Sequence, residues 1–413
     1  MDSKTFEVTP TTFTYGGEVL GRLSDGRAVF VPYALPSERV RVRLVEEKRG
    51  YARAELLEVL ESSPERIEPR CRHFATCGGC HYQHMPYQAQ LKAKAEILSD
   101  QLERIGKLEN PPVEPTIPSP QPWYYRNHIQ FHLTEQGQLG FQGARSQGVI
   151  PIQECHLPEE PINAIWPLLD VEPIPGLERL GLRSGTEGPL LILESHDPQP
   201  LVFSVDLPVS AVHLGPGGAL VLAGDDFVFI EVLERSFRVS AGSFFQVNTP
   251  MAAALVEYLL AHLHLTPDTS LIEGFCGVGL FSAFLAPQVG ELIAIESHPS
   301  AAEDFVANLD DFDNVALYEA PVEDVLGILK VQPDIILVDP PRAGLGRQSL
   351  DAILTLKPNL VAYVSCDPAT LARDAKRLTK GGYRLTQVTP FDLFPQTYHI
   401  ESVSLWEKSE ERD

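Results

Sequence analysis

Cys366 stands where a nucleophile would work. The apolar run Leu360 to Val364 reads as a short buried strand, and it ends at Ser365-Cys366-Asp367-Pro368. Asp367 is suited to cap a following helix, and Pro368 to sit in its first turn. That places Cys366 at the carboxyl end of a strand and just before a helix, where open α/β sheets bind their ligands. The helix dipole there would favour a thiolate. An isolated cysteine is more often a small buried apolar residue, so its neighbours carry the argument. Ile335 to Val338 is another buried strand, running into Asp339-Pro340-Pro341-Arg342, and Ile400 to Leu405 alternates like a strand and carries Glu401. A cysteine, an aspartate and a glutamate at strand ends can meet in one pocket.

A second constellation lies upstream. Cys71, Cys77 and Cys80 are spaced C-x5-C-x2-C, and Cys155 follows in Gln153-Glu154-Cys155-His156. Gly78 and Gly79 let the backbone fold tightly between the last two of the trio. Four thiolates can hold either zinc or a 4Fe-4S cluster. Structural zinc more often shows paired C-x-x-C knuckles, and one such pair is present.

The elements that must position these groups are legible as patterns. In the C-terminal third, strands and helices alternate. Ser270 to Phe275 is a strand that runs into Cys276-Gly277-Val278-Gly279, with a helix expected from Leu280. Leu292 to Ile295 is the next strand and ends in Glu296, 19 residues after Gly277. A glycine turn after a strand lets a cofactor approach the backbone, and an acidic residue at that distance grips ribose hydroxyls. NAD and S-adenosylmethionine enzymes share this logic, so the pattern alone does not separate them. Cys276 reads as packing. Further helices are expected over Pro86 to Ile105 and Met251 to His262. Asn110 to Pro122 holds six prolines in thirteen residues and reads as a linker. Phe6 to Leu60 is a series of short strands with glycine turns, the pattern of a small barrel. Within it Arg39, Arg41, Arg43, Lys48, Arg49 and Arg53 place six of the chain's 33 basic residues in fifteen positions, with Tyr51 among them. That stripe suits either a nucleic-acid face on which Tyr51 stacks or an ordinary solvated strand face. Ile150 to Val232 holds strands and turns without a motif.

Composition bounds the answer. A chain of 413 residues is expected to form two or three domains. Its 44% hydrophobic and 22% charged residues are those of a globular protein, not a disordered one. The formal charge of −23 argues against indiscriminate nucleic-acid binding and leaves room only for a local basic patch. Met1-Asp2-Ser3-Lys4-Thr5 has no apolar region of a signal peptide, and no apolar run is long enough to span a bilayer. A cytoplasmic protein is expected, and six cysteines there suggest metal or catalysis before disulfides.

Three motifs in order, Asp339 to Arg342, Ser365 to Pro368 and His399-Ile400-Glu401, resemble the signatures of the RNA 5-methyluridine (uracil-C5) methyltransferases. The likeness covers nearly the whole chain. It includes Gly78 to His84, Tyr87-Gln88-Ala89-Gln90-Leu91, Tyr125-Arg126-Asn127, Gly140-Phe141 with Arg145, and Ser243-Phe244-Phe245-Gln246-Val247-Asn248. The resemblance implies an α/β fold of three parts. Residues 1–62 would form a TRAM domain, an OB-like barrel that binds RNA. Residues 63–236 would be a central α+β domain holding a 4Fe-4S cluster on Cys71, Cys77, Cys80 and Cys155, with the helix at 86–106 packing on the catalytic domain. Residues 237–413 would be a Rossmann-like domain binding S-adenosylmethionine through Gln246, Phe275, Gly277, Gly279, Glu296 and Asp339. His73, His81 and His84 would contact RNA or pack. By the same resemblance Cys366 is the nucleophile, Glu401 the base and Arg342 the group that meets charge on the uracil oxygen. The resemblance implies 23S ribosomal RNA as the substrate, with transfer RNA as the alternative, and a monomer is expected. Leu280 departs from the family, several members of which carry a polar residue there. Two other readings compete. A redox or radical enzyme built on the cluster would be expected to show C-x3-C-x2-C. A catalytically silent RNA-binding module would not need Cys366 and Glu401.

Overall fold

The computed structural model describes residues 5–169, 171, 176–196 and 209–409. Part of the Ile150–Val232 stretch and the first four residues lie outside these. The C-terminal part is a seven-stranded sheet of β1 (Ser270–Gly274), β2 (Glu291–Glu296), β3 (Val315–Glu319), β4 (Ile335–Val338), β5 (Leu360–Ser365), β6 (Tyr383–Phe391) and β7 (Glu401–Lys408). The strands lie in the order β3-β2-β1-β4-β5-β7-β6. β1 to β5 are parallel, and β7 inserts antiparallel between β5 and β6. All four residues of β4 are buried, as a strand covered on both faces requires. One face packs on the helix Thr249–His262, through Leu255 and Leu259, and the other on the helix Pro368–Lys380, through Leu371 and Leu378. The strand order reverses between β1 and β4, so the crevice beyond their carboxyl ends is where a ligand enters this sheet.

Thirteen residues of helix follow Asp367, whose Oδ1 accepts from the backbone N–H of Ala369 and Thr370 at 2.9 Å each. The helix expected from Leu280 is only Ser282–Leu285, continued as a 3₁₀ turn over Ala286–Gln288. Pro287 explains the change: it lacks the N–H that would continue the α-helical ladder. Arg235–Ser240 forms a hairpin with Phe227–Val232.

Residues 5–61 form a six-stranded sheet whose edge strands, Thr5–Val8 and Thr12–Thr14, are consecutive in the chain. A flat sheet of six strands is about 24 Å across, more than the three residues between these strands can span. The sheet therefore curls on itself around Val29, Val31, Val40, Val42, Ala52 and Ala54. The central part is a second seven-stranded sheet in which only Leu190–Ser195 and Ser210–Gly215 pair in parallel. The helix Tyr87–Arg104 leaves it and places Leu98 and Leu102 in the core of the C-terminal part, against the helix Pro368–Lys380. Among the described residues no helix is long and apolar enough to cross a membrane.

Candidate active site

The crevice at the switch point is built from backbone first. Beyond β1 the chain turns through Phe275, Gly277 and Gly279, all left-handed, with φ of 62°, 55° and 89°. Phe275 bears this conformation at a cost that sites of ligand contact commonly carry. Gly279 is required by space as well, since a Cβ there would lie 2.3 Å from Leu309 Cδ1. Glu296, the last residue of β2, is fixed by three amides. Its Oε2 accepts from Gly277 N at 2.9 Å, and its Oε1 from Ser297 N and His298 N at 2.8 and 2.7 Å. Asp339 follows β4, its N–H donating to Gly274 O at 3.3 Å, and Gln246 Nε2 donates to its Oδ2 at 3.4 Å. Hydrogen bonds thus tie the Gly277 turn to Glu296 and Gln246 to Asp339 at the carboxyl ends of β1, β2 and β4. Leu280 is buried in the core under the loop, beside Phe281 and Phe305. Cys276 is buried in the same core, and burial raises its thiol pKa well above normal. Glu273, one residue before the β1 terminus, is a feature the sequence did not flag. Burial pushes its carboxyl up to about 8, and Oε1 has no hydrogen-bond partner.

On the far side of β4, strand register places Cys366 and Glu401 together. β5 and β7 pair with Ser365 opposite Ser402, so the next residues along, Cys366 and Glu401, face each other at the sheet's end. Glu401 is buried, and its Oε1 has no hydrogen-bond partner. Burial, then the nearby Asp339 carboxylate, holds the Glu401 carboxyl well above the usual range, while Arg342 opposes the shift. Burial brings Asp339 itself to about 7. The expected thiolate is not favoured here. Burial pushes the Cys366 thiol up to about 12, helped by Glu401, Asp339 and Asp367 and opposed by Arg342. The helix dipole does not rescue it, because Asp367 already occupies the helix N–H groups at Ala369 and Thr370. Arg342 is exposed at the mouth, its Nη2 lying 3.4 Å from His399 Nε2. Burial and the Arg342 charge lower His399 to about 3, so its imidazole is neutral.

The four upstream cysteines line one cavity of about 280 Å³, together with Phe74, Ile129, Phe141 and Arg126. Among the described residues no group of three or more His, Cys, Asp or Glu is disposed to hold a metal ion. The donor set, four soft sulfurs facing one largely apolar cavity, fits an iron–sulfur cluster chemically. The loop is well anchored. Cys71 N donates to Gln83 Oε1 at 3.0 Å, and Gly78 N to Gln142 O at 3.0 Å.

The sequence profile of the tRNA (uracil-5-)-methyltransferase family matches residues 223–409, and that of the TRAM domain residues 1–57. A protein of Halalkalibacterium halodurans, named an uncharacterized RNA methyltransferase, is 36% identical over 97% of this chain and 96% of its own length. One of Aquifex aeolicus with the same name is 35% identical over 98% of this chain and 99% of its own. The chain belongs to the RNA (uracil-5-)-methyltransferase family. The fold agrees with that of a Pyrococcus abyssi tRNA (uracil-54, C5)-methyltransferase solved with S-adenosyl-L-homocysteine. Its TM-score is 0.71 at 24% identity, covering 97% of this chain and 100% of the other.

In this methyltransferase the TRAM domain directly touches the loop that carries Cys366. Tyr15 Oη donates to Asp367 Oδ2 at 2.9 Å, and the Tyr15 ring stands edge-on to Tyr398 at 5.6 Å. Tyr398 also meets His81 at 4.6 Å and His399 at 4.4 Å. Barrel, cysteine loop and catalytic domain therefore converge on the residues flanking Cys366 and Glu401. No local pattern announces these contacts, because Tyr15 and Asp367 lie 352 residues apart. Five of the six cations in the barrel's basic stripe, all but Arg49, face carboxylates of the barrel itself. Arg39 pairs with Glu7 and Glu61, Arg41 with Glu7 and Glu58, Arg43 with Glu55, Arg53 with Glu18 and Glu46, and Lys48 with Glu46. The register decides it: Glu7, Glu58 and Glu61 stand directly across from arginines on neighbouring strands.

Proposed function

We propose that the protein transfers a methyl group from S-adenosylmethionine to C5 of a uridine in RNA, through a covalent bond between Cys366 and C6 of the base. The observation that carries this reading is the β5–β7 register, which sets a cysteine opposite a buried, unpartnered glutamate at the mouth of the crevice. Uracil C5 is a poor nucleophile until a nucleophile adds at C6. Cys366 gives its proton to solvent water as its sulfur bonds to C6, and Arg342 meets the charge that develops on the uracil oxygen. C5 then takes the methyl group, and the donor leaves as a neutral thioether. Glu401 accepts the C5 proton, and the sulfur–C6 bond breaks to restore the C5–C6 double bond and free Cys366. The donor's positive charge in the crevice favours ionised carboxylates, which readies Glu401 as a base. Glu296 would hold ribose hydroxyls, with the Phe275–Gly279 turn against the donor and Asp339 where donor and uracil meet. The target base is turned out of its stack or already unpaired to reach Cys366.

The 4Fe-4S cluster belongs to this reading, held by Cys71, Cys77, Cys80 and Cys155, because these four line one cavity. When bound it braces the fold, since methyl transfer needs no electron. Residues 1–62, 63–236 and 237–413 serve as the RNA-binding barrel, cluster domain and catalytic domain of a cytoplasmic monomer. The 23S ribosomal RNA is the proposed substrate, on the family resemblance of chains that join a TRAM domain to the cysteine set. Transfer RNA is the second reading, favoured by the Pyrococcus abyssi enzyme of the same fold. Mapping 5-methyluridine in both RNAs from a strain lacking the gene decides between them.

Incubation with S-adenosylmethionine and 5-fluorouridine-containing RNA tests the chemistry. Fluorine at C5 cannot leave as a proton, so a covalent protein–RNA complex should persist on a denaturing gel, and Cys366→Ala should abolish it. Glu401→Gln should accumulate the same complex on ordinary RNA, stalled after methyl transfer. Near-normal turnover by Glu401→Gln would move the base elsewhere.

A further inference from the structure

Most of the barrel's cations face its own carboxylates, so contact between this acidic chain and an RNA backbone calls for a further surface. A groove of about 730 Å³ runs between the helices Arg347–Leu356 and Pro368–Lys380 and opens at Ala343 and Gly344, next to Arg342. Arg347, Arg373, Lys376, Arg377 and Lys380 line it, with Asp351 and Asp374. Arg373, Lys376, Arg377 and Lys380 recur at i, i+3, i+4 and i+7, which stacks them along one helix face. Residues 341–381 carry seven Lys or Arg and three Asp, a net +4, in a chain of −23.

The groove is built, not incidental. Arg373 ties its wall to the active-site loop by donating to Ala343 O at 2.8 Å and to Asp374 Oδ1 at 2.9 Å. Gly344, at φ 71°, makes room for that tie: a Cβ there would stand 2.7 Å from Arg373 Nη2 and from Asp374 Oδ2. Arg377 is matched by Asp351, and Arg347 lies 3.8 Å from the same carboxylate. Lys376 and Lys380 are exposed and form no ion pair among the described residues. Charge left open on a groove that begins at the catalytic arginine suits a polyanion continuous with the substrate base.

We propose that this groove is a phosphate track for the RNA strand leading away from the target uridine, with Lys376 and Lys380 as its free charges. The proposal rests on RNA being the substrate. The test measures binding of a fluorescein-labelled stem-loop RNA with uridines in its loop to the full-length protein, by anisotropy over a range of salt. Lys376→Gln/Lys380→Gln should lower the slope of log affinity against log salt by about 1.5, for two contacts at roughly 0.7–0.9 each. Lys376→Glu/Lys380→Glu should weaken binding further, and Lys376→Arg/Lys380→Arg should restore both slope and affinity. An unchanged slope and affinity in the Gln and Glu variants, with native circular dichroism, overturns the track. Methylation by the wild type is scored on the same RNA and on total cellular RNA. If the wild type methylates while the slope is unmoved, the track alone fails. If the slope falls and no 5-methyluridine forms on any RNA, the methylation reading fails and the track stands.

Discussion

Burial and three neighbouring carboxylates keep Cys366 a thiol near neutral pH, and this has a direct consequence for its reactivity. With its pKa raised to about 12, the thiolate fraction, and hence alkylation by iodoacetamide, should rise about tenfold per pH unit between 7 and 10. Mass spectrometry of the peptide carrying Cys366 reads the rate separately from the other five cysteines. Ionised Glu401 raises the thiol pKa, so at the alkaline end of this range Glu401→Gln should react faster than wild type. Arg342→Ala removes the charge that lowers it and should react more slowly. A flat profile from pH 7 upward would mean that a thiolate is already present and that the burial argument fails. The strand-end positions of Cys366, Asp339 and Glu401 were legible in the sequence, because short apolar runs mark buried strands and their ends. The protonation state was not. It depends on Asp367 taking the helix amides and on Asp339 and Glu401 sharing one buried pocket, and both are facts of three-dimensional packing.

At the scale of elements, the helix Pro368–Lys380 has two masters at its amino end. Asp367 Oδ1 caps it, and Asp367 Oδ2 accepts from Tyr15 of the barrel. The cap itself could be read from Asp367-Pro368, and so could most of the strands and helices, to within a residue or two at β2, β4, β5 and the helix Thr249–His262. The tie to Tyr15 could not, since it joins separate parts of the chain. Nor could the arginine pairing of the barrel, because a run of alternating Arg shows its own strand and not the glutamates that register brings opposite. Tyr15→Phe removes the donor while keeping the ring against Tyr398. A hydrogen bond to a carboxylate contributes about 1.5–3 kcal/mol, so thermal unfolding should report a loss of that order at most. Formation of the Cys366 complex with 5-fluorouridine RNA should slow, since Cys366 adjoins the residue that is released. Unchanged stability and an unchanged rate together would reduce the contact to bare proximity.

Across the whole molecule, the helix Tyr87–Arg104 does most to join the parts. It begins just after the cysteine loop and packs Leu98 and Leu102 into the core beside the helix Pro368–Lys380. Its mode of attachment was not foreseeable. The loop before it donates from His81 N and Tyr82 N to Gln396 O at 2.8 and 3.0 Å, and Gln90 exchanges two 3.0 Å hydrogen bonds with Gln396. Gln396 precedes His399 and Glu401, so the cysteine loop braces the segment that carries Glu401. Beside it Lys94 Nζ lies 2.6 Å from Asp392 Oδ1 and donates to Phe394 O at 3.1 Å, with neither charged side chain accessible to water. These partners are 298 residues apart. A fully buried lysine in a helix looks, in sequence, like a solvated one, so nothing local announces it. Lys94→Met leaves Asp392 buried without its cation and should cost about 3–5 kcal/mol, whereas Lys94→Met/Asp392→Leu should recover most of that loss. Thermal unfolding of the four variants in the cycle measures the difference. The reason to expect recovery is that each ion's desolvation consumes much of the attraction between them, so removing both together costs far less than removing one. If the double variant is as unstable as Lys94→Met, packing around the Lys94 stem, and not the charge left behind, would be what holds the helix to the catalytic domain.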